Sequence, residues 1–307
     1  MRLIDQSLLK TALPLENRRE GKVRDIYDLV LPDNSPGVLI VATDRVSVFD
    51  VVLGNGIPEK GIMLTQISKF WFELLADVVE NHLYSTDVDN LTHLSVDEKS
   101  LLERRVMICQ KAKVIPIECI VRGYLTGGGY KEYLSTGGIS GIPLPKNLVD
   151  GHRFINPIFT PTTKAEKGHD ESITLDEAGE IVGKALIEKL SSVSLELYDR
   201  ANAYARGKGL IIADTKFEFG LDQQGNLMLI DEVLTPDSSR YWSLQSWVAD
   251  KKQDNFDKQL LRNFAEKLHE SGLWDKTPPG PKIPEELVQT TRLRYQDLHN
   301  KVLGHSD

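Results

Sequence analysis

LIIADTKFEFGLDQQGNLMLIDEVLTPDSSRYW, residues 210–242, reads as a β-hairpin with a polar loop behind it. Two apolar runs, Leu210–Ala213 continuing into Phe217 and Phe219, and Leu227–Ile230, flank Asp222-Gln223-Gln224-Gly225-Asn226, a turn in which Gly225 is free to take a positive φ. With the loop centred between Gln224 and Gly225, Glu218 is expected directly opposite Asp231. The two-residue period of a strand then sets Asp214, Lys216 and Glu218 on one face, with Thr215, Phe217 and Phe219 packed behind it. Facing carboxylates, with Cβ atoms roughly 4.5–5.5 Å apart, repel by about 3 kcal/mol at an effective dielectric of about 20, so a positive charge is required between them. Lys216 supplies part of it. Two carboxylates on neighbouring strands also suit a hard cation such as Mg²⁺ carrying nucleotide phosphates, while a solvated charged face or a structural Lys–Glu pair is the alternative. Leu234–Trp242 follows as a turn-rich loop whose Asp, two Ser and Arg suit anionic or hydroxyl groups.

The 307 residues, 40% hydrophobic and 27% charged, describe a globular chain with a substantial core, arranged in two lobes. Cys109 and Cys119 are the only cysteines, both in apolar runs, so neither a disulfide framework nor a Cys-rich metal site is expected. The N-terminal MRLIDQSLLKTALPLENRRE has acidic residues and no long apolar core, and no stretch approaches a membrane span, so a cytoplasmic protein is expected. A net charge of −8 argues against general nucleic-acid binding. An acidic protein that binds phosphorylated small molecules must concentrate Lys and Arg locally, beside glycines and turns.

Glu20-Gly21-Lys22-Val23-Arg24 is one such place, a glycine and two basic residues leading into an alternating strand pattern. It suits a hairpin over phosphates, or simply a turn. No Walker A pattern occurs. Val38–Thr43 reads as a strand delivering Asp44-Arg45-Val46-Ser47-Val48-Phe49-Asp50 at its end, either lining a site or forming a capped turn. Leu64–Val79 has helical spacing, with Thr65 a candidate cap; residues 84–103 read as a connection without chemistry. Two β-rich runs, Arg105–Gln110 and Ile115–Val121, lead to RGYLTGGG at 122–129, where Arg122 and backbone N–H groups could grip a phosphate or a flexible loop could simply turn. Thr174 and Asp176–Leu197, continuing through Ala205, predict one long helix before the central hairpin. Further helices are expected from Gln253–Gln259 onward and over Pro284–Leu303, joined by a proline-rich crossing.

DTKFEFG (214–220) followed by DEVLTPDSSRYW (231–242) resembles the signature of the SAICAR synthetase family, ATP-dependent ligases of purine biosynthesis, and further matches extend over most of the chain. The resemblance implies roles by position. Glu218 and Asp231 take Mg²⁺; Gly21, Lys22, Arg24 and Lys164 take the ATP phosphates; KVIPIE, from Val114 through Glu118, takes the adenine. Lys216 stabilises charge at the transferred group, and Asp214 positions substrate or supports the metal. Asp50, Arg122, Gly128, Ser239, Arg240 and Lys258 are carried over to the ribotide. Family members typically have Ser where this chain has Gly128, which removes a side-chain hydroxyl and leaves a backbone contact possible.

The implied fold is α+β, with a smaller antiparallel β nucleotide lobe over 1–115 and a larger C-terminal substrate and metal lobe over 116–307. ATP is expected in a cleft of the ATP-grasp or kinase kind. The implied reaction joins L-aspartate to the carboxylate of carboxyaminoimidazole ribotide through an acyl phosphate, giving the succinocarboxamide, ADP and phosphate. A monomer with no second appended activity is expected. A protein kinase would need similar parts, but no H-R-D-L or D-F-G sequence occurs. A non-catalytic nucleotide-binding regulator is the other reading open at this point.

Overall fold

The computed structural model describes residues 7–164, 171–251, 253, 255, 256 and 258–304. It is α+β, with mainly antiparallel sheets, and contacts divide it into two compact units. The first holds the described residues of Met1–Phe70, His82–Lys111 and Phe256–Asp307; the second holds Trp71–Asn81 and Ala112–Asn255.

The first unit is built on a five-stranded antiparallel sheet in the order Glu16–Glu20, Arg24–Val30, Pro36–Ala42, Val106–Gln110, Leu83–Ser85. Alternation along Arg24–Val30 buries Asp25 and Tyr27. Both polar tips are satisfied by Thr11, whose N–H and hydroxyl each donate to Asp25 Oδ2 at 2.7 Å and whose Oγ1 lies 2.8 Å from the Tyr27 hydroxyl. Tyr27, Leu39, Val41, Leu102, Val106 and Ile108 form the core beneath the sheet.

A second cluster explains why a single cut near residue 115 does not describe the packing. Val46, Val48, Val51, Leu53 and Ile57 pack with Leu261, Ala265, Trp274, Ile283 and Tyr295. Burial of these side chains, each worth roughly 1.5–3 kcal/mol, ties the helices Gln259–Glu270 and Glu285–Leu303 to the first unit. The helix expected at Leu64 begins earlier, at Lys60, because the Asp44 carboxylate accepts from the Gly61 N–H at 2.9 Å; Thr65 is buried inside it and caps nothing. Residues 84–103 are more than a connection. They hold a helix, Val96–Leu102, closed by a reciprocal Ser95–Glu98 capping box.

The second unit is a five-stranded antiparallel sheet in which His152–Thr163, Lys113–Leu125, Leu210–Leu221 and Leu227–Ile230 follow in order, and Ser239–Ser243 also pairs with Leu210–Leu221. Phe217, Phe219 and Cys119 are fully buried, and the helix Lys184–Gly207 packs against the Leu210–Leu221 strand with Leu190, Leu197, Tyr198 and Ala201 buried. The Tyr198 hydroxyl donates to the Ile212 carbonyl at 2.7 Å, fixing helix to strand. The single helix expected over 176–205 is two, Leu175–Val182 and Lys184–Gly207, because Gly183 takes a φ of 92°, outside the helical region. Among the described residues no helix is long and apolar enough to cross a membrane.

Candidate active site

The hairpin forms where expected but its register is one residue away. Glu218 pairs with Ile230, Phe219 with Leu229 and Leu221 with Leu227. The loop is centred on Gln224 because the Asp222 carboxylate accepts from the Gln224 and Asn226 N–H groups at 2.8 and 2.7 Å, winding five residues into a closed turn in which Gly225 takes a φ of 84°. Asp231 is therefore not opposite Glu218. A strict strand period would turn it away from Glu218, but its φ of 66° breaks the alternation, and its charge acts on Lys216.

Glu218 instead faces Glu118, from the Lys113–Leu125 strand. Both carboxylates are buried, and the repulsion anticipated for such a pair is met by lysines. Lys216 Nζ lies 2.5 Å from Glu118 Oε1 and 3.4 Å from Glu218 Oε1, while Lys164 pairs with Glu218 Oε2. Burial disfavours the Lys216 ammonium, but Glu218, Glu118 and Asp231 outweigh it and raise its pKa well above the ordinary lysine value. Lys216 is thus a fixed cation, unsuited to taking up a proton. The Glu118 carboxylate joins this cluster, a role the motif reading missed by treating the residue as part of an adenine-reading strand. Its backbone is paired on both sides, with Thr162 and with Glu218. Val114 is half exposed and pairs with Gly220; on the other side the ladder ends at the Ile117–Thr163 pair, and the Lys164 N–H donates to the Pro116 carbonyl at 3.3 Å.

Two residues along the same strand face, Asp214 is buried between two arginines. It accepts from Arg122 Nη1 at 3.0 Å and pairs with Arg240 Nη1, and the register sets Arg122 and Arg240 on either side of it. Arg122 Nε also donates to Thr160 Oγ1 at 3.0 Å. RGYLTGGG is not a loose loop: its glycines open the helix Gly127–Thr136. Gly127 has a φ of 57°, and a Cβ there would meet Arg240 Nη2 at 2.4 Å, so both backbone and space demand glycine. A Cβ at Gly129 would stand 3.1 Å from Arg122 Nε. Two guanidiniums thus lie against the positive end of a helix whose N-cap, Thr126, makes no side-chain cap. With Asp214 as their shared counter-ion, the arrangement favours an added anion.

Gly128 itself has no atom within 4 Å of its would-be Cβ and no positive φ. A Gly128→Ser variant is therefore expected to match or exceed the parent's stability by less than about 0.5 kcal/mol. Thermal denaturation checks this, and a clear loss of stability would show the space is not open.

Ser239 is not brought into this group. It pairs with Thr215, its Oγ lying 2.7 Å from Thr215 Oγ1, on the strand side opposite Asp214 and Lys216. The segment before it is held by Tyr241, whose hydroxyl donates to the Leu234 carbonyl at 2.6 Å, so residues 239–243 form a strand where a loop was expected.

In the first unit, Gly21 sits in the turn between Glu16–Glu20 and Arg24–Val30, its N–H donating to the Arg24 carbonyl at 2.8 Å. Lys22 and Asp50 are exposed enough to meet a ligand and pair with one another, and Asp50 has a φ of 62°. Arg24 begins the strand and is half buried; Lys258 is buried at the start of the Gln259–Glu270 helix. His169 and Asp170, residue types suited to acid–base work, lie outside the described residues.

A sheet face with lysines paired to carboxylates, beside an arginine-lined corner, is a candidate centre for binding anionic ligands. The family model described as SAICAR synthetase matches residues 17–279. The phosphoribosylaminoimidazole-succinocarboxamide synthase of Thermodesulfovibrio yellowstonii is 50% identical over 280 residues, 91% of this chain and 92% of that protein. That of Geobacter sulfurreducens is 47% identical over 299 residues, 97% of this chain and 98% of that protein. A solved structure described as SAICAR-synthase from Saccharomyces cerevisiae complexed with SAICAR has a TM-score of 0.85 at 42% identity, covering 99% of each chain. The chain belongs to the SAICAR synthetase family and is a ligase of purine biosynthesis that uses ATP.

Proposed function

We propose that the Asp214–Lys216–Glu218 face is where the carboxylate of carboxyaminoimidazole ribotide is phosphorylated by ATP and the resulting acyl phosphate is taken by L-aspartate. A carboxylate oxygen attacks the γ-phosphorus and ADP leaves. The aspartate amine then attacks the acyl carbon, phosphate leaves with its oxygen, and the nitrogen loses a proton. One observation carries this reading: the cation–carboxylate cluster at Lys216 and the arginine corner at Asp214 occupy alternate positions of a single strand. Alternate side chains on one strand face are roughly 6.5–7 Å apart, which suits a phosphoryl group meeting a substrate held by its own anionic group.

Lys216, held cationic, stabilises charge on the group in transfer, and Asp214 orients Arg122 and Arg240 toward the ribotide phosphate together with the Gly127–Gly129 N–H groups. Gly21, Lys22, Arg24 and Lys164 are assigned to ATP phosphates, Val114 to the adenine, and Asp50 and Lys258 to the ribotide. Among the described residues no three His, Cys, Asp or Glu side chains form a ready metal cage. Mg²⁺ bound with nucleotide phosphates needs only one or two carboxylates, and the hard oxygens of Glu218 and Asp231 fit that need, with Glu118 beside them. When bound, the ion would neutralise phosphate charge.

ADP release should require the ribotide and reach steady turnover only with aspartate as well. ADP formed at the same rate without ribotide would point to a different acceptor, and ATP binding with no turnover under any combination would point to a regulator.

A further inference from the structure

We propose that Arg45, which no part of the assigned chemistry uses, is a positioning residue that holds the Gly21–Arg24 turn in its phosphate-binding form. The inference rests on the reading of that turn as a nucleotide-phosphate site. Arg45 is only 6% exposed and lies at the end of the Pro36–Ala42 strand. Its guanidinium reaches three carbonyls of the turn: Nε donates to Lys22 O at 3.1 Å, and Nη2 donates to Gly21 O at 2.9 Å and Arg24 O at 3.1 Å. Nη1 donates to the Leu9 carbonyl, and Nη2 also pairs with Asp25 Oδ1 at 2.9 Å. The one remaining carbonyl of the turn, Val23 O, accepts from Thr43 N and Oγ1 at 3.1 and 2.8 Å.

Every carbonyl of residues 21–24 is therefore drawn to the Arg45–Thr43 side. In a trans peptide the C=O of one residue and the N–H of the next point in opposite directions. The Lys22 and Val23 N–H groups consequently face the other way, and neither has an acceptor among the described residues. A turn whose carbonyls faced the ligand would repel phosphate. One whose N–H groups face it, beside the Lys22 ammonium, attracts phosphate. A planar fork presents donors from separate nitrogens in a fixed geometry that spans these carbonyls, whereas an ammonium concentrates its donors on one nitrogen.

Arg45→Lys keeps the charge beside Asp25 and removes the fork. It is expected to raise the ATP Kd and the KM for ATP about tenfold, with the KM values for ribotide and aspartate within about twofold of the parent. Asp25→Asn, which leaves the carbonyl contacts in place, is expected to lower stability while leaving the ATP Kd within about twofold. Lys22→Ala tests the underlying reading separately, and should weaken ATP binding whatever Arg45 does. If Lys22→Ala weakens ATP binding and Arg45→Lys does not, or if Arg45→Lys and Asp25→Asn weaken it alike in step with lost stability, the positioning role is wrong. If Lys22→Ala has no effect, the turn does not bind the nucleotide and both readings fall. Hydrogen exchange on the unaltered protein supplies a readout independent of variant folding: ATP should slow exchange of the Lys22 and Val23 amides, and unchanged exchange there would overturn the proposal.

Discussion

Glu218→Gln is expected to fold as the parent does and to lose ATP-dependent turnover by about 10²–10³-fold, the scale of removing one preorganised electrostatic contributor. The amide keeps the size and hydrogen-bonding capacity of the acid, so the buried site is not left with a cavity. What changes is charge. Lys164 and Lys216 lose a shared counter-ion, and Glu118 loses the like charge facing it across the strands. These changes oppose one another in stability, which should shift by no more than about 1 kcal/mol. They do not oppose one another in function, where Glu218 and Asp231 are assigned together to the metal–nucleotide. ADP release measured alongside circular dichroism separates the two effects, and near-parental turnover in a folded variant would remove Glu218 from the chemistry.

Asp214→Asn, by contrast, should be felt strongly in stability as well as in substrate use. Asp214 is the carboxylate between Arg122 and Arg240, and its side chain is 7% exposed. Neutralising it leaves two guanidiniums facing each other beside a helix N-terminus, with burial already pressing the Arg122 pKa below its ordinary value. Breaking a buried pair of this kind costs about 3 kcal/mol. Denaturant unfolding reads that loss directly. The KM for the ribotide should rise far more than that for ATP, and a bound phosphorylated ligand should restore part of the lost stability because its anion takes over the counter-ion role. Equal effects on both substrates would mean that Asp214 serves the sheet rather than the arginines.

The hairpin, the polar face at Asp214, Lys216 and Glu218, and the buried Phe217 and Phe219 behind it were legible in the sequence because strand alternation is a strong local signal. The pairing partner of Glu218 was not. Register depends on how the turn closes, and the Asp222 side-chain bonds centre the five-residue loop on Gln224 rather than between Gln224 and Gly225, which moves every partner by one residue. Glu118 was hidden for a separate reason: it pairs with Glu218 from the strand on the other edge, about a hundred residues away, and leaves no local trace. The glycines at 127–129 gave a true signal of backbone approach to charge but no sign of the helix they open. Similarly, the helices at 259–270 and 285–303 were readable one by one, while their packing on Val46–Ile57 is a long-range fact. Arg45 stood in the sequence as a strand-end residue; only the fold reveals how many carbonyls of the turn it holds.

In the proposed reaction the ribotide carboxylate is activated by phosphorylation before aspartate attacks. Ribotide carrying ¹⁸O in both carboxylate oxygens, turned over with ATP and aspartate, tests it directly by mass spectrometry of the products. One ¹⁸O is expected in the released phosphate and the other in the amide. Phosphate free of ¹⁸O would mean that the carboxylate was never phosphorylated, and the proposed chemistry of this site would be wrong.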